Sequence, residues 1–239
     1  AGYQEEVMPA QLPPLPRLIA HRCGGVLAPE NTLAGLHAAA ARGFSAVEFD
    51  VMLSADGTPV LIHDETLERT TNGIGRVCET PDAVLFSLDA GQGERIPTLA
   101  EAAALCQQYG FLANVEIKPA AGHEARAAEV VARFVVEHWG FGVPPLISSF
   151  SPEALATAQR IAPQLQYGLL YETVPADWLQ QRANLGALTL HCAASELRDV
   201  VLKEAEAAGV PVLCYTVNDP AEAQALFVRG VTSVFTDRL

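Results

Sequence analysis

The sequence is poor in basic residues: its 239 residues include 15 lysines and arginines against 28 aspartates and glutamates, a formal net charge of −13. Binding along a nucleic-acid backbone requires a basic surface, so this balance argues against a nucleic-acid-binding protein. A small anionic substrate remains compatible with it, because one bound cation and a few basic side chains can reverse the potential of a single cleft.

Cysteines are also few, and no two of them are spaced as a CxxC pair. Their odd number and wide spacing argue against a disulfide framework or a zinc site, and favour a reducing compartment, so we predict a cytoplasmic location. We interpret most of them as small buried hydrophobic residues. They are Cys23, Cys78, Cys106, Cys192 and Cys214.

Long apolar runs are missing as well, and none approaches the roughly 20 residues that span a bilayer. We therefore expect no stable membrane insertion. The first 16 residues are acidic and then proline-rich, without the basic start and apolar stretch of a signal peptide. We predict a disordered or extended segment over 1–16 and one folded domain over 17–239.

Short apolar runs that alternate with alanine-rich stretches dominate the remainder. Alternating strands and helices predict a parallel sheet, and eight strands predict a closed (β/α)8 barrel, the TIM-barrel fold. A doubly wound open sheet is the alternative, but no GxGxxG turn supports dinucleotide binding. The predicted strands are Leu18–His21, Ala46–Val51, Phe111–Ile117, Leu146–Phe150, Gln166–Tyr171, Ala187–His191, Pro211–Val217 and Ser233–Thr236. The predicted helices are Asn31–Arg42, Thr98–Tyr109, His123–Trp139, Pro152–Ile161, Ala176–Leu185, Ser195–Ala208 and Pro220–Arg229.

One interval interrupts this alternation. The turn sequence Ala55-Asp56-Gly57 predicts a hairpin between Val47–Leu53 and Pro59–His63. The polar, turn-rich stretch that follows, about 64–96, is predicted to be an insertion after the second strand that covers one face of the barrel. Loops after barrel strands build the active-site face, so this insertion is expected to lie near the site.

Two pairs of charged residues occupy alternate positions on predicted strands. Glu48 and Asp50 point to the same side of their strand, where burial of both requires a compensating cation or proton. A hard divalent cation with oxygen ligands meets that need, although two acids on a solvated edge strand would look the same in sequence. Glu116 and Lys118 repeat the spacing and would add a third carboxylate and a basic group for phosphate, unless they are an ordinary ion pair.

Two histidines end predicted strands. His21 is followed by Arg22, which can bind phosphate through two parallel hydrogen bonds, and His63 ends the hairpin. Two histidines that flank a phosphate can act as general acid and general base, while a lone histidine at a strand end is more often structural. His191 also ends a predicted strand and is a weaker candidate for the site.

Taken together, these motifs resemble the glycerophosphodiester phosphodiesterase family in order and spacing, from about Leu18 to Asp237, with short bacterial cytosolic members as the nearest type. The motifs are His21-Arg22, Ala28-Pro29-Glu30-Asn31-Thr32, Glu48-Phe49-Asp50, His63-Asp64 and Glu116-Ile117-Lys118, with echoes in Leu67–Gly73, Thr216-Val217-Asn218 and Thr236-Asp237. The resemblance implies a barrel with a small insertion after its second strand.

The resemblance also implies roles. Glu48, Asp50 and Glu116 would hold one divalent cation, either Mg²⁺ or Ca²⁺, with Mn²⁺ as a further candidate. His21 and His63 would be the acid/base pair, with a weak preference for His21 as base. Arg22 and Lys118 would bind the phosphate. The expected reaction is hydrolysis of a small-molecule glycerophosphodiester to sn-glycerol 3-phosphate and an alcohol, within lipid and glycerol metabolism.

Two residues depart from the family pattern, and two other functions remain open. Cys23 stands where the family usually has glycine, with Gly24 and Gly25 as candidates for the missing backbone freedom. Tyr215 stands where many members have tryptophan, which predicts an altered pocket wall. The alternatives are a phosphodiesterase of lysophospholipids or phosphoinositide head groups, and a binding barrel that has lost catalysis.

Overall fold

A computed structural model describes residues 11–140 and 142–239, which form nine strands and eight α-helices. The strands are β1 (Leu18–Ala20), β2 (Ala46–Leu53), β3 (Pro59–Leu61), β4 (Leu112–Ile117), β5 (Leu146–Ser149), β6 (Gln166–Leu170), β7 (Thr189–Ala193), β8 (Val212–Tyr215) and β9 (Ser233–Thr236). The helices are α1 (Leu33–Ala41), α2 (Asp82–Leu85), α3 (Leu99–Tyr109), α4 (Glu124–His138), α5 (Pro152–Ile161), α6 (Trp178–Leu185), α7 (Asp199–Ala208) and α8 (Pro220–Arg229).

Eight of these strands close into a parallel barrel, which confirms the predicted (β/α)8 fold. Strand β1 pairs in parallel with β2, where Ala20 lies beside Val47, and with β9, where Ile19 lies beside Phe235. Strand β3 is the exception: it runs antiparallel to β2, with Val51 opposite Leu61, so the predicted hairpin is confirmed. His63 therefore extends from an added strand beside β2 rather than from a strand of the barrel.

Several helix starts follow local capping chemistry. The side chains of Ser151 and Asp219 accept hydrogen bonds from the backbone at the starts of α5 and α8, and a proline follows each at the first helical position, as predicted. Helix α7 was predicted from Ser195 but begins at Asp199, because residues 194–196 form a short 3-10 turn first. Apolar spacing alone does not distinguish such a turn from the first turn of an α-helix.

Successive side chains on each barrel strand point alternately toward the surrounding helices and toward the barrel interior, where the site residues lie. On β2, Phe49 and Val51 belong to the main apolar core that the barrel shares with its helices. Ala46 packs in a smaller cluster with Ile19 and Phe235 from neighbouring strands. Side chains two residues apart share a face, so Glu48 and Asp50 lie on the same side of β2 as Ala46.

Residues 11–16 contact the barrel and have no regular secondary structure. Leu15 contacts the small interior cluster, and the Gln166 side chain donates a hydrogen bond of 2.6 Å to the carbonyl oxygen of Gln11. Residues 1–10 lie outside the described part of the chain. The predicted domain limits at 16 and 17 stay a prediction.

The insertion after β3 has an apolar core of its own. Ile62, Leu67, Val77 and Leu85 are buried there together with Met52 of β2. Burial of each such side chain contributes roughly 1.5–3 kcal/mol relative to exposure. This cluster attaches the insertion to the β2–β3 hairpin and so fixes the backbone on both sides of His63. Among the described helices, none is long and apolar enough to cross a membrane.

Candidate active site

A cavity of about 300 Å³ opens at the carboxyl ends of the barrel strands. Nearly all the residues singled out in the sequence meet there, although they come from different strands. His21, Arg22, Glu48, Asp50, His63 and Glu116 line it. Lys118 is brought to the same place, because its ammonium nitrogen lies 2.9 Å from Nε2 of His63.

Three carboxylates converge on one side of this cavity. Asp50 of β2 lies beside Glu116 of β4 in the strand register, and Glu48 is two residues before Asp50. One oxygen from each of the three lies within 4.8 Å of the other two. Oxygen atoms at such separations can share one hard divalent cation.

The electrostatics of these carboxylates fit a cation. Glu48 and Asp50 are 3% and 1% exposed, and Oε1 of Glu48 accepts no hydrogen bond from the described residues. Burial and the charge of Asp50 raise the pKa of Glu48 to about 7. Burial, together with Asp50 and Glu48, raises the pKa of Glu116 well above its usual range. A divalent cation would offset both the burial and the mutual repulsion that cause these shifts.

Two residues from the loops hold the carboxylates in place. The Asn31 side-chain amide donates to Oδ2 of Asp50 at 3.0 Å, and its oxygen accepts from the Asp50 backbone N–H at 3.2 Å. The backbone N–H of Arg22 donates to Oε2 of Glu48 at 3.0 Å. The role of Asn31 was not predicted, since its only sequence signal was its place in a family motif.

His21 is oriented by a carboxylate from the far end of the chain. Its Nδ1 lies 2.7 Å from Oδ1 of Asp237, and its Nε2 lies 3.7 Å from Oε2 of Glu48. Burial opposes protonation, but the hydrogen bond to Asp237 and the charge of Glu48 outweigh it, so the pKa of His21 is raised. Asp237 was noted in sequence only as a motif echo; the two residues are 216 positions apart, and nothing in the sequence signalled their contact.

His63 has a similar arrangement. Its Nδ1 lies 2.7 Å from Oδ1 of Asp64, and Lys118 approaches its Nε2. An ammonium group only donates, so Nε2 of His63 accepts from Lys118 and its Nδ1 carries the proton that Asp64 accepts. Each histidine therefore turns one ring nitrogen to a carboxylate and the other to the cavity. Asp64 could have been proposed from its position next to His63.

Arg22 retains hydrogen-bonding capacity toward the cavity. One of its terminal nitrogens donates to Oε2 of Glu30 at 3.0 Å. Its buried Nε has no hydrogen-bond partner among the described residues and lies 3.9 Å from Oδ2 of Asp50. A guanidinium with unpaired N–H groups in a cleft is suited to bind a phosphate.

Cys23 does not enter the cavity. Its side chain is fully buried in the main core, and its backbone has φ 74°, in the left-handed region that favours glycine. Of the two glycines expected to supply this freedom, Gly25 has φ 56°, whereas Gly24 has φ −130° and serves another purpose. A Cβ at Gly24 would lie 2.6 Å from Cα of Gly35, so glycine there permits close contact with α1.

Tyr215 forms part of an aromatic wall, as expected for a residue at the tryptophan position. Its hydroxyl donates to the carbonyl oxygen of Tyr171 at 2.7 Å. Its ring meets Phe150 edge to face, with the ring centroids 6.2 Å apart. The side chains of Tyr215 and Phe150 line the cavity. This wall adds apolar surface beside the charged groups of the cavity.

His191 also lines the cavity but differs from the other two histidines. It is 1% exposed, and its Nε2 lies 2.8 Å from the hydroxyl of Thr189. Burial lowers its pKa to about 3. His191 is therefore neutral near pH 7 and suited to packing inside the barrel.

An open barrel mouth that unites a carboxylate cluster with two oriented histidines and two basic side chains defines a barrel phosphodiesterase. Comparison of the sequence is more specific: residues 21–239 match the Glycerophosphoryl diester phosphodiesterase family, and the chain belongs to that family. The predicted family is confirmed. So is the prediction of an enzyme, a glycerophosphodiester phosphodiesterase, and the non-catalytic alternative is not supported.

Individual relatives agree with this assignment. A glycerophosphodiester phosphodiesterase of Caldanaerobacter subterraneus subsp. tengcongensis is 33% identical over 227 residues, which are 92% of this chain and 93% of the relative. The structure of an Oleispira antarctica phosphodiesterase in complex with the product sn-glycerol-3-phosphate has a TM-score of 0.91 and 40% identity, covering 93% of each chain. A putative glycerophosphoryl diester phosphodiesterase from Silicibacter pomeroyi has a TM-score of 0.84 and 25% identity, covering 98% of this chain and 93% of that one.

The buried state of His191 predicts a pH-dependent stability. Because its pKa is about 3 in the folded protein and 6.5 as a free side chain, the unfolded chain binds more protons as pH falls below 6.5. Stability from this group is complete above pH 6.5 and is lost toward pH 3. The difference in unfolding free energy between the wild type and His191→Gln should shrink by about 2 kcal/mol from pH 7 to pH 5.

Urea denaturation at both pH values measures this difference. The same substitution at His123, which is exposed, is the control. An unchanged difference for His191→Gln at the two pH values would contradict a neutral, buried His191.

Proposed function

We propose that this phosphodiesterase releases sn-glycerol 3-phosphate and a small alcohol from glycerophosphodiesters, using a divalent cation and two histidines. The observation that carries this is the cluster of Glu48, Asp50 and Glu116 beside two carboxylate-bound histidines in one cavity. The Oleispira antarctica structure contains sn-glycerol-3-phosphate as its product, which supports the same product here.

The three carboxylates would hold Mg²⁺, Ca²⁺ or Mn²⁺. When bound, the cation would polarise the phosphoryl group and offset its developing negative charge. Asn31 and the Arg22 backbone fix Asp50 and Glu48 through hydrogen bonds, so the ligands would need little rearrangement when the cation binds. Rigid ligands of this kind reduce the reorganisation cost of binding.

Two basic side chains, in addition to the cation, would bind the phosphate. Arg22 lines the cavity and has an unpaired Nε–H among the described residues, and Lys118 can turn its ammonium from His63 to a phosphate oxygen. Such donors stabilise charge that develops on phosphate in the transition state. Transfer of Lys118 to the substrate would also release Nε2 of His63 for proton transfer.

The two histidines would act as acid and base. With Nδ1 of each held by a carboxylate, the Nε2 atoms are the groups that exchange protons with the substrate. We retain His21, whose pKa is raised, as base and His63 as acid; in that role Nε2 of His63 must take up a proton once Lys118 turns to the phosphate. The nucleophile is either water or the 2-hydroxyl of the glycerol unit, which would give a cyclic phosphate first; release of the cyclic product would identify the second route.

Metal binding can be tested by its effect on thermal stability, independently of its effect on turnover. After chelation, adding Mg²⁺, Ca²⁺ or Mn²⁺ should raise the melting temperature of the wild type, because a ligand at 100 times its Kd adds about 2.7 kcal/mol of stability. The variant Glu48→Gln with Asp50→Asn should lose both this rise and its turnover. Differential scanning calorimetry and glycerol 3-phosphate release are the two readouts.

The matched control replaces two exposed helical acids, Glu153→Gln with Glu222→Gln, and should retain both the metal-induced rise and the activity. Near-normal turnover of the Glu48/Asp50 variant in chelator would exclude the proposed metal role.

The acid/base assignment can be tested with leaving groups of different basicity. Each histidine should contribute about 10²-fold to 10⁴-fold to turnover of glycerophosphocholine. A nitrophenolate leaving group needs no proton, so the variant that lacks the general acid should recover most of its rate on a nitrophenyl ester of glycerol phosphate. We expect recovery for His63→Ala and none for His21→Ala. The opposite pattern would exchange the two roles, and an unchanged rate of either variant would remove that histidine from the chemistry.

A second candidate substrate, lysophospholipid, is favoured by apolar side chains beside the mouth. Val26 and Leu27 follow β1 and Phe150 follows β5, and they are 73%, 41% and 47% exposed. An acyl chain could lie across them while its head group occupies the cavity. Comparison of glycerophosphocholine with lysophosphatidylcholine tests this: we expect preference for glycerophosphocholine, and Val26→Ser with Leu27→Ser should then leave its kcat/KM within about threefold.

A further inference from the structure

A chain of charged hydrogen bonds joins the two halves of the site through the insertion. Asp64, which holds His63, is bound by Arg69 through Nε at 2.7 Å and a terminal nitrogen at 3.0 Å. Arg69 also binds both carboxylate oxygens of Glu30, at 2.6 and 3.2 Å. Glu30 in turn accepts from Arg22 at 3.0 Å. Arg69 is thus the central residue of a path from His63 to Arg22.

The geometry of Arg69 is more specific than that of an ordinary surface pair. A guanidinium that binds two carboxylates through paired N–H groups fixes both their position and their orientation. The Arg69 side chain is 49% exposed, and exposed ion pairs contribute only about 0–1 kcal/mol to stability. Its four hydrogen bonds fix the orientation of two carboxylates, and this distinguishes Arg69 from such a pair.

The consequences of losing Arg69 differ at the two ends of the path. At one end, Asp64 would keep only its bond to His63 and could rotate, carrying the imidazole with it. At the other end, Glu30 would have Arg22 as its single cationic partner and would compete with the substrate phosphate for that guanidinium. Sharing the charge of Glu30 with Arg69 leaves Arg22 more available to the substrate.

We infer that Arg69 is a positioning residue that the insertion supplies to the active site, where it orients His63 through Asp64 and Arg22 through Glu30. This inference rests on the function proposed above. It also gives the insertion a role: it completes the site from outside the barrel, because the strands themselves contribute no partner that bridges Asp64 and Glu30 among the described residues.

The kinetic test compares substitutions along the path with glycerophosphocholine as substrate. Arg69→Gln should lower kcat/KM about 10-fold to 100-fold, as is typical when an orienting partner is removed. Asp64→Asn should mainly lower kcat, since it acts through His63, and Glu30→Gln should mainly change KM, since it acts through Arg22. Arg69→Lys should lower kcat/KM by an intermediate factor, because lysine keeps the positive charge but cannot donate paired hydrogen bonds to a carboxylate.

Arg76 on the same insertion provides a matched control. It is 41% exposed and pairs with Glu79 at 3.2 Å and Glu65 at 3.8 Å, away from the path. Arg76→Gln and Arg76→Lys should leave kcat and KM within twofold. Combining Arg69→Gln with Asp64→Asn should cost less than the product of the single losses, because both changes break one connection.

A measurement on the histidine itself separates this inference from the proposed function. In ¹⁵N-histidine NMR, the Nδ1 proton of His63 should exchange with solvent faster in Arg69→Gln than in the wild type or Arg76→Gln. An inactive wild type would refute the proposed function, while this readout would still decide the role of Arg69. Unchanged exchange, kinetics of Arg69→Gln within twofold of wild type, or an equal loss in Arg76→Gln would each overturn the inference.

Discussion

The surroundings of the active site follow from one electrostatic constraint, the close approach of three carboxylates, two of them buried and the third partly buried. Two unit charges 4 Å apart repel by about 4 kcal/mol at the effective dielectric constant of a protein surface, and burial increases the cost. The raised pKa values of Glu48 and Glu116 express that cost directly. Asn31 fixes the geometry of the cluster but brings no charge, so a bound cation is the natural means of balance.

The same constraint governs the groups around the cluster. Asp237, Asp64 and Glu30 each lie against a histidine or an arginine, so the negative charge near the cavity is neutralised locally. This pairing explains how a protein with a net charge of −13 can receive an anionic substrate. The electric field of a paired charge decreases quickly with distance. Arg22, Lys118 and a cation, by contrast, would act on the phosphate at contact distance.

The parts of the site that could be predicted from sequence are those that local geometry determines. The common direction of Glu48 and Asp50 follows from the two-residue period of a strand, and the β2–β3 hairpin follows from its turn residues. Contacts that depend on register and closure could not be derived in this way. Nothing near His21 points to Asp237, and nothing near Arg69 shows that a turn-rich loop folds back onto Glu30.

Barrel closure explains why the two kinds of contact differ. Strands β2 and β4 are neighbours that place Asp50 beside Glu116, so the carboxylate cluster depends on one strand pairing. The His21–Asp237 pair depends instead on β1 meeting β9, where the backbone N–H of His21 donates to the carbonyl oxygen of Thr236 at 2.9 Å. That contact lies where the first and last strands meet, at the pairing that closes the barrel. His21 is therefore oriented by Asp237 only in the closed barrel. The active site is complete only when the fold is complete.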